Sequence, residues 1–157
     1  MKKEKATFAM GCFWGPDYIF SKVFGVFKTR VGYSGGKTKN PSYEDVCKGK
    51  TGHAESIKIE FDADKVSYEK LLDVFWKNHD STQMNRQGPD IGSQYRSVIF
   101  YQNEKQKKLA ESSKKEKQKE LDKEIATEIL EAGEFYEAEE YHQKYADKHG
   151  GRYVCHI

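Results

Sequence analysis

Met10-Gly11-Cys12-Phe13-Trp14-Gly15-Pro16 joins two stretches of different period. Before it, Ala6 to Met10 is a short apolar run of strand character. After it, Pro16 suits the first turn of a helix, where its missing N–H is not needed. Ile19, Phe20, Val23 and Phe24 then repeat at helical spacing, and Gly25 can end the helix. Cys12 is thereby placed at a helix N-terminus, whose positive dipole end favours the thiolate, the reactive form of cysteine. Gly11 and Gly15 allow a tight turn, and Phe13 and Trp14 can wall a small apolar pocket. A buried, inert cysteine in an aromatic core would use the same residues.

Working outward, Phe27, Thr29, Val31 and Tyr33 alternate with polar positions and read as a strand broken at Ser34-Gly35-Gly36. Ser42 can cap a short helix, with Asp45 as the acid of a capping box. Tyr43, Val46 and Cys47 would share one face of it, which makes Cys47 a buried, structural thiol. Residues 54 to 61 form the clearest strand. Ile57, Ile59 and Phe61 point one way, and Glu55 falls in register with them because the side-chain period is two. A carboxyl on the buried face resists ionisation and suits a general acid. At a wet strand end, or paired to a lysine, the same residue would be structural.

Ser67 can cap a helix with Tyr68, Leu71, Leu72, Phe75 and Trp76 on its apolar face. Residues 80 to 96 show neither period and carry three breakers. A loop of that length between strong elements reads as ordered and functional. Val98 to Tyr101 is a buried strand, 104 to 124 a charge-rich surface helix, and Ile125 to Leu130 a strand. Phe135, Ala138, Tyr141, His142 and Tyr145 mark a last helical face, and a tail follows Gly150-Gly151. Strands and helices in this alternation predict an α+β, two-layer sandwich with a mixed sheet and a split-βαβ (ferredoxin-like) core. A length of 157 residues with no internal linker predicts a single catalytic domain, 1–157, with 150–157 a mobile tail.

Composition narrows the function. With 27 basic and 25 acidic residues, a net charge of +2 gives no case for nucleic acid. No segment reads as a membrane span or a signal peptide. Three cysteines, Cys12, Cys47 and Cys155, form no scaffold or metal spacing, so thiols used for chemistry in a reducing, cytoplasmic setting are expected. A thiol peroxidase, a peptide-binding module and a zinc site compete with this reading. The aromatic pocket and Glu55 argue against peroxide, which has no methyl group to bury, a binding module leaves the placement of Cys12 unexplained, and no CxxC or HxxxH pair is present.

Gly11-Cys12-Phe13-Trp14-Gly15 resembles the active-site signature of the peptide methionine sulfoxide reductase A family. Further matches follow in order: Val31-Gly32-Tyr33-Ser34-Gly35-Gly36, Asn40-Pro41-Ser42-Tyr43, Gly52-His53-Ala54-Glu55, Asn85-Arg86-Gln87-Gly88 through Gln94-Tyr95-Arg96-Ser97, and Phe135-Tyr136 to Tyr141-His142-Gln143-Lys144-Tyr145. Ser81, where the family commonly has proline, and Met84, where leucine is usual, depart from the pattern. The resemblance implies reduction of (S)-methionine sulfoxide, free or in proteins, as repair after oxidative damage. It implies Cys12 as nucleophile, Glu55 as general acid, Phe13 and Trp14 around the S-methyl group, and Tyr43, Tyr95 and Asp90 lining the site. Cys12 would become a sulfenic acid, resolved by Cys155 in the tail, with Cys47 the alternative resolver. The resulting disulfide would be reduced by thioredoxin, or by dithiothreitol in vitro. No bound cofactor or metal is implied, and a monomer is expected.

Overall fold

The computed structural model describes residues 1–149. Its elements run β1 (Lys3–Met10), α1 (Trp14–Ser21), β2 (Val26–Ser34), α2 (Tyr43–Cys47), β3 (Ala54–Asp62), α3 (Tyr68–Lys77), β4 (Arg86–Gln87), β5 (Asp90–Ile91), β6 (Ser97–Tyr101), α4 (Glu104–Gln118), β7 (Glu128–Glu131), β8 (Phe135–Glu137) and α5 (Tyr145–Lys148). Six strands form one sheet in the order β7-β6-β1-β3-β2-β8, and β4 and β5 form a separate hairpin. The β6–β7 pair is parallel and the other pairs are antiparallel, so the fold is α+β with a mixed sheet.

One face of the sheet carries the main core. Phe8 stands opposite Ile57, and Ala6 opposite Ile59, and both pairs are buried. Phe20 of α1 and Tyr68, Leu71, Leu72, Phe75 and Trp76 of α3 cover this face. Phe8 is the hub, with ring centroids 5.6 Å from Phe20 and 5.0 Å from Phe75. Each such ring contributes about 1.5–3 kcal/mol by leaving water. The α3 face is the one its sequence periodicity predicts, and Ser67 caps the helix by accepting from the Lys70 N–H. The Ser42–Asp45 capping box at α2 also forms as expected.

Several expectations need correction. Phe24 is not on a helical face: α1 ends at Ser21, and Phe24 is 75% exposed. The charge-rich helix stops at Gln118 because the Gln118 side chain takes over the backbone bonding, donating to the Lys123 carbonyl and accepting from the Ile125 N–H. Residues 135–145 form no single helix. Phe135–Glu137 pairs with β2 instead, and a 3-10 turn (Glu140–His142) and the short α5 follow. The Gln143 amide finishes the job a strand would do, accepting from the Val31 N–H and donating to the Val31 carbonyl. Cys47 is exposed, not buried; Val46 is the residue of α2 that faces inward.

The candidate active site

The turn from β1 into α1 needs Gly11, whose φ of +97° is costly for any residue with a Cβ. It delivers Cys12 to the position just before Phe13, the residue that caps α1. Cys12 is a thiol, 8% exposed, so its sulfur lies below the surface rather than on it.

Glu55 reaches the same turn from β3. Period two puts it on the core face, and it stands directly opposite Tyr33 of β2. It is 1% exposed, and its Oε1 accepts the Phe13 N–H at 3.2 Å. One backbone N–H freed by the start of α1 is thus used to hold a carboxyl group beside the cysteine.

Two tyrosines complete the polar side. Burial first, and then the neighbouring Glu55 carboxyl, pushes the Tyr43 and Tyr95 hydroxyls far above the ordinary tyrosine range. Both therefore remain O–H donors at any physiological pH. Tyr95 lies within electrostatic reach of Cys12, Cys47 and Asp90 as well as Glu55. Asp90 is on the β4–β5 hairpin, and Tyr95 is in the 3-10 turn Ser93–Tyr95, so the long loop is ordered and brings both residues to the site. The Cys47 thiol shares a hydrogen bond with the Tyr43 hydroxyl, which places it at the site's rim; partial desolvation of the sulfur there pushes its proton affinity up, against that bond. Of the two departures from the family pattern, Ser81 is buried and accepts the Ala126 N–H through its carbonyl, whereas Met84 is exposed.

The aromatic side is built from both ends of the chain. Phe13 is buried, with Tyr33 at 5.7 Å, Tyr43 at 6.4 Å and His142 at 5.3 Å between ring centroids. Trp14 stacks on Tyr145 at 3.9 Å and 9°, and its Nε1–H donates to His142 Nδ1 at 3.1 Å. His142 Nδ1 is thus the unprotonated nitrogen, and burial, opposed by Glu139, keeps the ring neutral by lowering its proton affinity. Lys144 anchors this segment to α1. Its N–H and its ammonium both donate to the buried Asp17, and the ammonium also donates to Thr29. Sequence reading took Tyr141-His142-Gln143-Lys144-Tyr145 as a helical face and a family motif and missed the separate tasks of His142, Lys144 and Tyr145.

Cys12, Phe13, Trp14, Tyr43, Glu55, Asp90 and Tyr95 are therefore gathered at one end of the core face, and Cys155 lies outside the described residues. A thiol, a buried carboxyl group, two phenol donors and an aromatic wall can bind a small polar oxygen and an adjacent apolar group together. Among the described residues, no three His, Cys, Asp or Glu side chains cluster as a metal ion would need, and no helix is long and apolar enough to cross a membrane.

Comparison with known proteins agrees with this geometry. The profile of the family described as peptide methionine sulfoxide reductase matches residues 4–157. The peptide methionine sulfoxide reductase MsrA of Methanothermobacter thermautotrophicus is 56% identical over 151 residues, which cover 95% of this chain and 89% of that protein. MsrA of Methanosarcina acetivorans is 58% identical over 149 residues, covering 94% and 79% respectively. Mxr1 from Saccharomyces cerevisiae in its reduced form superposes with a TM-score of 0.93 at 37% identity, over 99% of this chain and 92% of that one. Mxr1 in complex with Trx2 gives 0.67 at 26% identity, over 92% and 86%. The chain belongs to the peptide methionine sulfoxide reductase family, enzymes that reduce methionine sulfoxide to methionine.

Proposed function

We propose that the Cys12 thiolate attacks the sulfur of (S)-methionine sulfoxide, free or in a polypeptide, and that this site carries out the reduction as protein repair after oxidative damage. The observation that carries this reading is the Phe13 N–H to Glu55 bond, which fixes a buried carboxyl group at the turn that presents the thiol. The methyl group on sulfur sits against Phe13 and Trp14. The oxygen takes hydrogen bonds from Tyr43 and Tyr95 and a proton from Glu55, with Asp90 lining the far wall. Donors aimed at an oxygen as it gains charge are worth a few kcal/mol each. The choice of the S epimer is what the family resemblance implies. The oxygen passes to the Cys12 sulfur as the substrate's S–O bond and the new S–S bond break, methionine leaves, and Cys12 holds the oxygen as a sulfenic acid.

Cys155, in residues 150–157, then attacks that sulfenic sulfur, water leaves, and a Cys12–Cys155 disulfide remains. Two electrons from a thioredoxin dithiol restore both thiols; the yeast neighbour solved in complex with Trx2 supports this choice. Dithiothreitol serves in its place in vitro. No bound cofactor is needed, because the electrons arrive by thiol exchange. Residues 1–157 act as one catalytic domain and as a monomer, and reliance on thiols fits a reducing, cytoplasmic compartment. We also read the core as split-βαβ. The order β6-β1-β3-β2, with α1 following β1 and α3 following β3 over one core, supports it.

The test is a reaction with one equivalent of sulfoxide and no reductant, followed by peptide mapping. The expected result is one methionine formed per chain and a Cys12–Cys155 disulfide. A chain that forms methionine yet maps with Cys155 as a thiol contradicts the resolving step.

A further inference from the structure

We propose that Glu139 is a positioning residue for the reaction: its carboxylate holds Tyr43 in place so that the Tyr43 hydroxyl meets the sulfoxide oxygen together with Glu55. The inference rests on the reading of Tyr43 given above.

Helix α2, which carries Tyr43, has five residues and one buried side chain, Val46. A helix that short has little stability of its own. The Ser42–Asp45 capping box is internal to it and ties it to nothing else. At its far end the Gln94 amide donates to the Cys47 carbonyl at a long 3.4 Å. The near end is held by Glu139, whose Oε2 accepts the Tyr43 N–H at 3.1 Å. The other oxygen of the same group accepts the Tyr33 hydroxyl at 3.0 Å. Tyr33 is a fixed reference point, because it is fully buried in β2 and stands opposite Glu55 in the sheet. One carboxylate therefore bridges the strand pair that carries Glu55 and the backbone of the helix that carries Tyr43, while the Tyr43 ring packs on His142 at 4.3 Å and Val46 packs beside Tyr33.

Glu139 is itself fixed in the backbone, as its carbonyl accepts the His142 N–H at 3.0 Å. Burial acts to raise its proton affinity, but the bonds from backbone N–H groups and from Tyr33 outweigh it and hold the group below the usual carboxylate range. It is thus an ionised acceptor with one oxygen for the Tyr43 N–H and the other for the Tyr33 hydroxyl.

The test is a double-mutant cycle read as the single-turnover rate of methionine formation, with sulfoxide concentration varied to separate rate from binding. Glu139→Met fills the space and accepts neither bond. It is expected to slow the saturated rate about tenfold, with a smaller change in the half-saturating concentration, and to change the Tyr43→Phe rate by less than about twofold. Glu139→Gln can accept the Tyr43 N–H and donate to the Tyr33 oxygen, so it should stay within about threefold of the unmutated enzyme. Equal losses from Glu139→Met with and without the Tyr43 hydroxyl would overturn the proposal, as would no loss at all. No loss in Tyr43→Phe itself would instead remove the reading of Tyr43 on which the proposal stands. If Glu139→Met does not fold, Tyr33→Phe carries the same cycle: about a threefold loss, absent in Tyr43→Phe, supports the bridge, and additive losses overturn it.

Discussion

Glu55 and glutamine have nearly the same shape, and the Phe13 N–H can bond to either. Only the acid can give up a proton to the departing oxygen. Glu55→Gln is therefore expected to lower kcat/KM for sulfoxide reduction by about 10²–10³-fold with little change in melting temperature, since general acid catalysis is worth that much. Steady-state kinetics beside a thermal melt checks it, and near-normal turnover would show that Glu55 does not act as the acid. Glu55 was legible in the sequence because a strand's period of two assigns a face to every residue. The candidate roles of Tyr43 and Asp90 came only through family resemblance, since helical spacing gives Tyr43 a face but no task and Asp90 lies in a stretch with no period. Cys47 was misread because a five-residue helix has too few turns for spacing to define a buried face.

At the scale of elements, the segment from Ala138 to Tyr145 is attached to α1 by a charge pair whose carboxylate is buried and whose ammonium is partly exposed. Asp17 is fully buried and receives the Thr29 hydroxyl together with the backbone and side-chain donors of Lys144. Lys144→Met would leave that carboxylate without its cation. The expected cost is about 1–2 kcal/mol of unfolding free energy, less than for a fully buried pair because water already reaches the ammonium. A urea titration that finds less than about 1 kcal/mol would mean that the ion pair is not what fixes this segment. Locally coded elements were the readable ones: both serine caps and the apolar face of α3 depend on residues three or four apart. The β8 strand and the 3-10 turn after it depend on partners about a hundred residues away, such as Val31 for Gln143 and Trp14 for His142. Their aromatic spacing imitates a helix because single turns also place residues three and four apart on one side.

For the whole molecule, the titrating groups give stability an upper and a lower limit in pH. His142 is held below its ordinary 6.5 by burial, so the unfolded chain binds its proton first, and stability falls as pH drops below about 6.5. Asp62, held low by the Lys2 and Asp64 N–H groups, and Asp80, held low by Thr82, lose their contribution further down. On the alkaline side, burial pushes Tyr33, Tyr43, Tyr68 and Tyr95 above their ordinary 10.0. The unfolded chain then ionises first, and stability falls again above about pH 10. Urea unfolding across pH should give a maximum between those limits, and a chain more stable at pH 5 than at pH 8 would contradict the assignment for His142. The turn after β1, strand β3, helix α2 and the Ser93–Tyr95 turn bring Cys12, Glu55, Tyr43 and Tyr95 within electrostatic reach of one another. The most direct measurement is reduction of a peptide carrying racemic methionine sulfoxide, with dithiothreitol as reductant, the two epimers resolved, and Cys12→Ser run alongside. The unmutated enzyme should consume the S epimer alone and Cys12→Ser neither. Turnover by Cys12→Ser, or consumption of both epimers by the unmutated enzyme, would contradict the account.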